Sequence, residues 1–153
     1  MKLNNKVAIV TGGGRDIGRE VSLKLAAEGA KVVVNYANDA ASAEETLRMI
    51  EAAGGTAVLH RADVTTPEGV DGLVSTAQAA FGPGVDILVN TAGGMVARKP
   101  LLEIDDAFYD AVMDVNFRST FLTTRAVVPH MSSGAAIVNF ASQAGRDGGG
   151  PGA

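Results

Sequence analysis

Thr11-Gly12-Gly13-Gly14-Arg15-Asp16-Ile17-Gly18, TGGGRDIG, follows the short apolar run VAIV at residues 7–10. A glycine-rich turn leading from a strand into a helix exposes unpaired backbone N–H groups beside the positive end of the helix dipole. That makes it a ready site for a pyrophosphate. Glycine in such a turn can also serve tight packing alone, yet three in succession exceed what a turn needs. A P-loop requires Gly-Lys-Ser/Thr after the glycines, whereas Gly18 is followed by Arg19-Glu20, so a kinase or NTPase reading is excluded. The common G-x-G-x-x-G register also fails, because Gly12 and Gly14 are followed by Ile17 at its last position.

Outward from this turn, short apolar runs alternate with longer amphipathic stretches, the order expected of repeated βα units around a parallel sheet. Strands are expected at residues 7–11, 31–35, 56–61, 85–90 and 135–141, each nearly continuous in apolar residues, as a sheet covered on both faces requires. Helices are expected at residues 17–28, 41–53 and 67–81, with a longer one at 105–131. Glycines at 29, 54, 55, 82 and 134 stand where left-handed C-terminal caps favour a residue without Cβ. Pro67 suits a first helical turn. The expected fold is therefore α/β, a Rossmann-like doubly wound parallel sheet of order 3-2-1-4-5 with helices on both faces. Its first and fourth strands meet at the topological switch point, so Gly12, Gly14 and Asn90-Thr91-Ala92-Gly93 should converge on a ligand there.

Composition narrows the function. The chain has 153 residues, 46% hydrophobic and 20% charged, enough for one domain with a buried core. A formal charge of -4 offers no basic field for nucleic acid or anionic lipid. No apolar run approaches a membrane span, and Met1 to Lys6 is too polar to begin a secretory signal, so a cytoplasmic chain is expected. The absence of cysteine excludes disulfides, thiolate catalysis and cysteine-ligated zinc. With His60 and His130 in separate segments, neither a metal site nor a hydrolase triad is expected.

Thr11-Gly12-x-x-x-Asp16-x-Gly18 resembles the T-G-x-x-x-G-x-G motif of short-chain dehydrogenases/reductases, and later segments resemble that family in order. Asp63-Val64 resembles the pair that meets the adenine ring. Asn90-Thr91-Ala92-Gly93 resembles N-N-A-G, with Thr91 the departure. Asn116 occupies the place of the family's active-site asparagine, and Ile137 to Ser142, IVNFAS, resembles the strand that delivers the catalytic serine. The resemblance covers the whole chain and is nearest to 3-oxoacyl-carrier-protein reductases and glucose or alcohol dehydrogenases. It implies hydride transfer between a nicotinamide dinucleotide and a small carbonyl or secondary alcohol. Ser142 would polarise the substrate carbonyl, and Asn116 would support a water chain. The cofactor-binding set is then Gly12, Gly14, Arg15, Asp16, Ile17, Gly18, Asn35, Asp63, Val64, Asn90, Ala92 and Gly93.

Three details qualify this reading. Asp16 stands where the family has glycine, and a carboxylate there is expected to cap the helix and point away from a pyrophosphate. The second strand ends in Asn35-Tyr36, without the acid that binds a ribose 2′-hydroxyl, the nearest being Asp39. Arg15 could pair with a 2′-phosphate, so NADP is favoured, with NAD possible. A methyltransferase using S-adenosylmethionine is disfavoured by the same missing acid. Finally, the resemblance implies a tyrosine roughly a dozen positions after the serine and a lysine four beyond it, but no Tyr-x-x-x-Lys occurs in these residues. The expectation is one Rossmann-like domain, residues 1–153, truncated after the fifth strand, with residues 148–153 (GGGPGA) a site for cleavage or disorder. A dimer or tetramer built on the long helix is expected of the full-length form. The alternative is a non-catalytic dinucleotide-binding module.

Overall fold

The computed structural model describes residues 1–148, so the expectations placed on residues 149–153 lie outside the described residues. Five parallel strands form one sheet of order β3-β2-β1-β4-β5: β1 Val7–Thr11, β2 Lys31–Tyr36, β3 Thr56–Arg61, β4 Val85–Asn90 and β5 Met131–Asn139. The helices are α1 Asp16–Ala27, α2 Ala40–Ala52, α3 Pro67–Phe81, α4 Asp106–Met113, α5 Ser119–Val127 and the short α6 Ala144–Asp147. The doubly wound order is as the sequence implies.

Side chains alternate across a strand, which divides the core in two. Ile9, Val33 and Leu88 point to one face and pack with Val70, Leu73 and Val74 of α3 and with Leu122 and Val127 of α5. Ala8, Val10, Val32, Val34 and Val89 point to the other, against Ala26 of α1 and Ile50 of α2. Burying one such Val, Leu or Ile contributes about 1.5–3 kcal/mol, so these two layers hold the sheet edges level where the site forms.

Local chemistry sets the helix ends. Thr66 accepts from the Gly69 N–H at 3.1 Å before Pro67, and Asp39 accepts from Ser42 N–H at 3.0 Å to cap α2. Gly29 and Gly54 have positive φ just past α1 and α2, as expected of C-terminal caps, whereas Gly82 ends α3 at φ 103° and ψ 176°, outside the left-handed helical region, and Gly55 has no positive φ.

Several boundaries move by a single residue, and the larger differences from expectation lie beyond β4. The long helix at 105–131 is three pieces: α4, a π-helical turn at Asp114–Arg118, and α5, followed by a tight turn Val128–His130. Apolar periodicity reads through a π turn because only one extra residue is inserted. The fifth strand runs from Met131 rather than from residue 135 and ends at Asn139. Gly134, φ 88°, is not a helix cap but lies within β5, where the pairing with β4 shifts between Val85–Met131 and Ile87–Ala136. A glycine at such a bulge admits the left-handed backbone.

Candidate functional site

A cavity of about 360 Å³ opens at the carboxyl edge of β1, β2 and β4. Its floor is the glycine turn, one wall is Thr91-Ala92-Gly93 after β4, and the opposite wall is Tyr36-Ala37-Asn38-Asp39 after β2. Gly12, Gly14, Arg15, Asp16, Ile17, Gly18, Ala92 and Gly93 all line it. The size falls within the range of small-molecule sites.

Glycine is required in the turn by its own packing. Gly12 adopts φ 62°, and a Cβ there would stand 3.1 Å from the Ala92 backbone. A Cβ at Gly18 would collide with the Gly12 carbonyl oxygen, so α1 begins against the turn without a gap. Among the described residues no acceptor reaches the amides of Ile17 and Gly18, which belong to the helix's unpaired first turn. These N–H groups, at the positive end of α1, fit an anionic group of the kind a dinucleotide carries.

The turn is braced from behind. Thr46, fully buried, donates to the Gly14 carbonyl at 2.8 Å and accepts from Arg19 Nε at 2.8 Å. Arg19 also donates to the Ser42 carbonyl at 3.0 Å, joining α1 to α2. The Thr11 hydroxyl accepts from the amides of Thr91 and Ala92 at 3.2 and 3.1 Å, and Thr91 Oγ1 donates to the Thr11 carbonyl. Thr91, the departure from N-N-A-G, thus ties β4 to β1 and forms part of the wall.

Asp16 differs from expectation. It is the first residue of α1, not its cap, and makes no capping hydrogen bond. Its φ is 48°, the left-handed region where glycine is favoured, and its exposed carboxylate lies 3.7 Å from the Arg15 guanidinium. Helical entry from this backbone turns the side chain away from the amides that a cap would accept from, leaving a carboxylate on the cavity rim. Asp39 shares that rim. The Ser42 N–H that it accepts holds its carboxyl below the usual range, with Arg15 and Arg19 adding to the effect.

Other sequence-marked residues stand away from the cavity lining. Asn35 is buried behind the turn, where its side chain accepts from Gly12 N–H. Asp63 turns onto its own loop, accepting from Thr65 N–H and hydroxyl at 2.9 and 2.7 Å, and Val64 packs in the α3 core. Asn90 is buried and donates to Thr124 Oγ1 at 3.2 Å and Asn139 Oδ1 at 2.8 Å, linking β4 to α5 and β5. Asn116 sits in the π turn and grips the loop after β4, accepting from Gly94 N–H at 2.9 Å and donating to its carbonyl at 2.8 Å. Ser142 follows β5 with an exposed hydroxyl that accepts from Ala144 N–H at 3.1 Å. Of the wall from Tyr36 to Asp39, the sequence reading weighs Tyr36 and Asp39 for cofactor choice but places none of the four in the binding set. The signal was present, since the carboxyl end of β2 also faces the switch point.

Among the described residues no three His, Asp or Glu side chains gather as a metal site would need, and no helix is long and apolar enough to cross a membrane.

Comparison with known proteins places this geometry in context. An uncharacterized oxidoreductase of Methylorubrum extorquens is 39% identical over 141 residues, covering 92% of this chain and 56% of that protein. Glucose 1-dehydrogenase 2 of Bacillus subtilis is 40% identical over 131 residues, covering 84% and 50%. The chain therefore spans about half the length of the curated relatives it matches. Among solved structures, a short chain dehydrogenase from Burkholderia cenocepacia in complex with NADP superposes with a TM-score of 0.91 at 35% identity, over 99% of this chain and 61% of that one. An NADH-dependent reductase complexed with NAD superposes with a TM-score of 0.90 at 39% identity, over 98% and 65%. The short chain dehydrogenase family model matches residues 6–152, and with the switch-point cavity and its glycine turn in place, the chain belongs to that family.

Proposed function

We propose that this chain is the dinucleotide-binding part of an oxidoreductase that moves a hydride between NADP(H) and a small carbonyl or secondary alcohol, in the manner of 3-oxoacyl reductases. The observation that carries the proposal is the cavity at the ends of β1, β2 and β4, floored by Gly12, whose φ of 62° favours glycine, and by Gly18, where a Cβ would collide with the Gly12 carbonyl oxygen. When bound, the dinucleotide supplies the hydride. The chain's own residues bind and orient. Amides of Ile17 and Gly18 receive a phosphate, while Thr91, Ala92 and Gly93 offer a wall with little side chain to obstruct a ligand.

Arg15, two-thirds exposed on the rim, is the group proposed to pair with a 2′-phosphate. Asp16 and Asp39 oppose a 2′-phosphate there, and their charge is what keeps NAD open as the alternative. Ser142 is assigned the hydrogen bond to the substrate oxygen. Asn116, held by its two hydrogen bonds to Gly94, is assigned to support a water chain. Asp63 and Val64 are assigned the adenine end. Copies of the full-length protein are proposed to associate through the exposed Tyr109, Phe117 and Phe121 of the α4–α5 region.

Titration of the purified chain with NADPH and with NADH, followed by the fluorescence of the reduced nicotinamide, tests the site. Tighter binding of NADPH is expected; equal affinities remove the NADP preference, and no binding of either removes the dinucleotide assignment. The runner-up reading is a module that holds a dinucleotide without turnover. Oxidation of NADPH by a simple ketone, above background, separates the two.

A further inference from the structure

Asn35 carries four backbone partners at one point of the fold. Its carbonyl accepts from Gly13 N–H at 2.8 Å, and its side-chain oxygen accepts from Gly12 N–H at 3.2 Å. Its side-chain nitrogen donates to the carbonyls of His60 and Ala62 at 3.2 and 3.1 Å. The side chain is 2% exposed and lies on the face of β2 that carries Val33, one residue before the cavity wall begins at Tyr36. Only a primary amide supplies one acceptor and two donors in this fork. The orientation of that amide is settled by its partners, since the nitrogen must meet two carbonyls and the oxygen an N–H.

Resting on the dinucleotide reading above, we infer that Asn35 is a positioning residue: it holds the glycine turn in its binding shape and locks it to the end of β3, without touching the ligand. Gly12 is held at φ 62° with its amide drawn inward to Asn35. That leaves the outward amides of Ile17 and Gly18 to face the cavity. Without the side-chain oxygen, the partly buried Gly12 N–H would lose its partner, and the turn would relax to satisfy it, displacing the amides that follow. Because the link acts on the part of the site common to both nucleotides, its loss should weaken NADPH and NADH alike. A residue that touched the ribose or its 2′-phosphate would change their ratio instead.

The test is Asn35→Ala in the 153-residue chain, at a temperature where circular dichroism shows the variant folded. Amide hydrogen exchange at Gly12 is measured alongside dissociation constants for NADPH and NADH. Expected are faster exchange at Gly12 and a rise of about tenfold in both constants, with their ratio unchanged. Unchanged constants despite faster exchange, or a changed ratio, overturn the inference. If the variant does not fold, the native chain still decides. The Asn35 side-chain NH₂ protons should exchange slowly with deuterium, with or without NADPH, and exchange as fast as an exposed asparagine overturns the proposal. Failure of the native chain to bind either nucleotide overturns the reading of the cavity, and this inference with it, even where Gly12 exchange responds to the substitution.

Discussion

At the scale of single residues, Asp16 is the position where side chain and backbone disagree. A residue with a Cβ at φ 48° is strained by roughly 1 kcal/mol relative to glycine, part of which glycine gives back through the entropy of the unfolded chain. Asp16→Gly is therefore expected to raise the free energy of unfolding by about 0.5 kcal/mol, read from urea midpoints. The same variant removes a carboxylate from the cavity rim, so NADPH should bind more tightly. Unchanged or weaker binding would show that the carboxylate does not oppose the ligand. Glycines 12, 14 and 18 were legible in the sequence because a glycine-rich turn between an apolar run and a helix is a local signal. The clasp made by Asn35 was not, because its partners Gly12 and Ala62 lie 23 and 27 positions away and only the sheet brings them together.

At the scale of elements, two pieces of the scaffold carry testable loads. The π turn at Asp114–Arg118 aims the Asn116 amide at both backbone groups of Gly94. Asn116→Ala should speed exchange at the Gly94 amide and lower stability by about 1–2 kcal/mol, read by thermal denaturation. Unaltered exchange at Gly94 would show that the loop holds itself. Between β3 and α3, His60 Nδ1 lies 2.8 Å from Thr76 Oγ1, and burial pushes the imidazole below its ordinary value of 6.5. The unfolded chain then takes up the proton first, so the stability that His60 supplies is present above pH 6.5 and lost as pH falls through the lower folded value. The thermal midpoint should drop between pH 7.5 and 5.5 by more in the native chain than in His60→Gln. Equal drops would assign the effect to other groups.

At the scale of the whole molecule, β5 is the exposed margin of the sheet. Ile137, Val138 and Phe140 are each between a third and a half exposed, and one side of the strand has no neighbour among the described residues. An apolar edge with open backbone groups invites pairing with another chain. The 153 residues by themselves are expected to self-associate with rising concentration, and Val138→Lys should reduce this, both followed by light scattering. An equal tendency in the variant would place the contact elsewhere, for instance on the exposed Phe117 and Phe121.

The order of strands and helices, the parallel sheet and the switch-point site were determined by the sequence alone. Apolar runs, amphipathic periods and glycine punctuation are local signals, and the right-handed crossover leaves few ways to assemble them. Only the tertiary structure decided what the polar side chains do. It set Asn35 behind the turn, turned Asp63 onto its own loop, put Asn116 to work on Gly94 and joined Asn90 to Asn139. The physical reason is that a buried amide is satisfied by whichever backbone the fold brings within about 3 Å, and that partner is distant in sequence and carries no residue-type signature of its own.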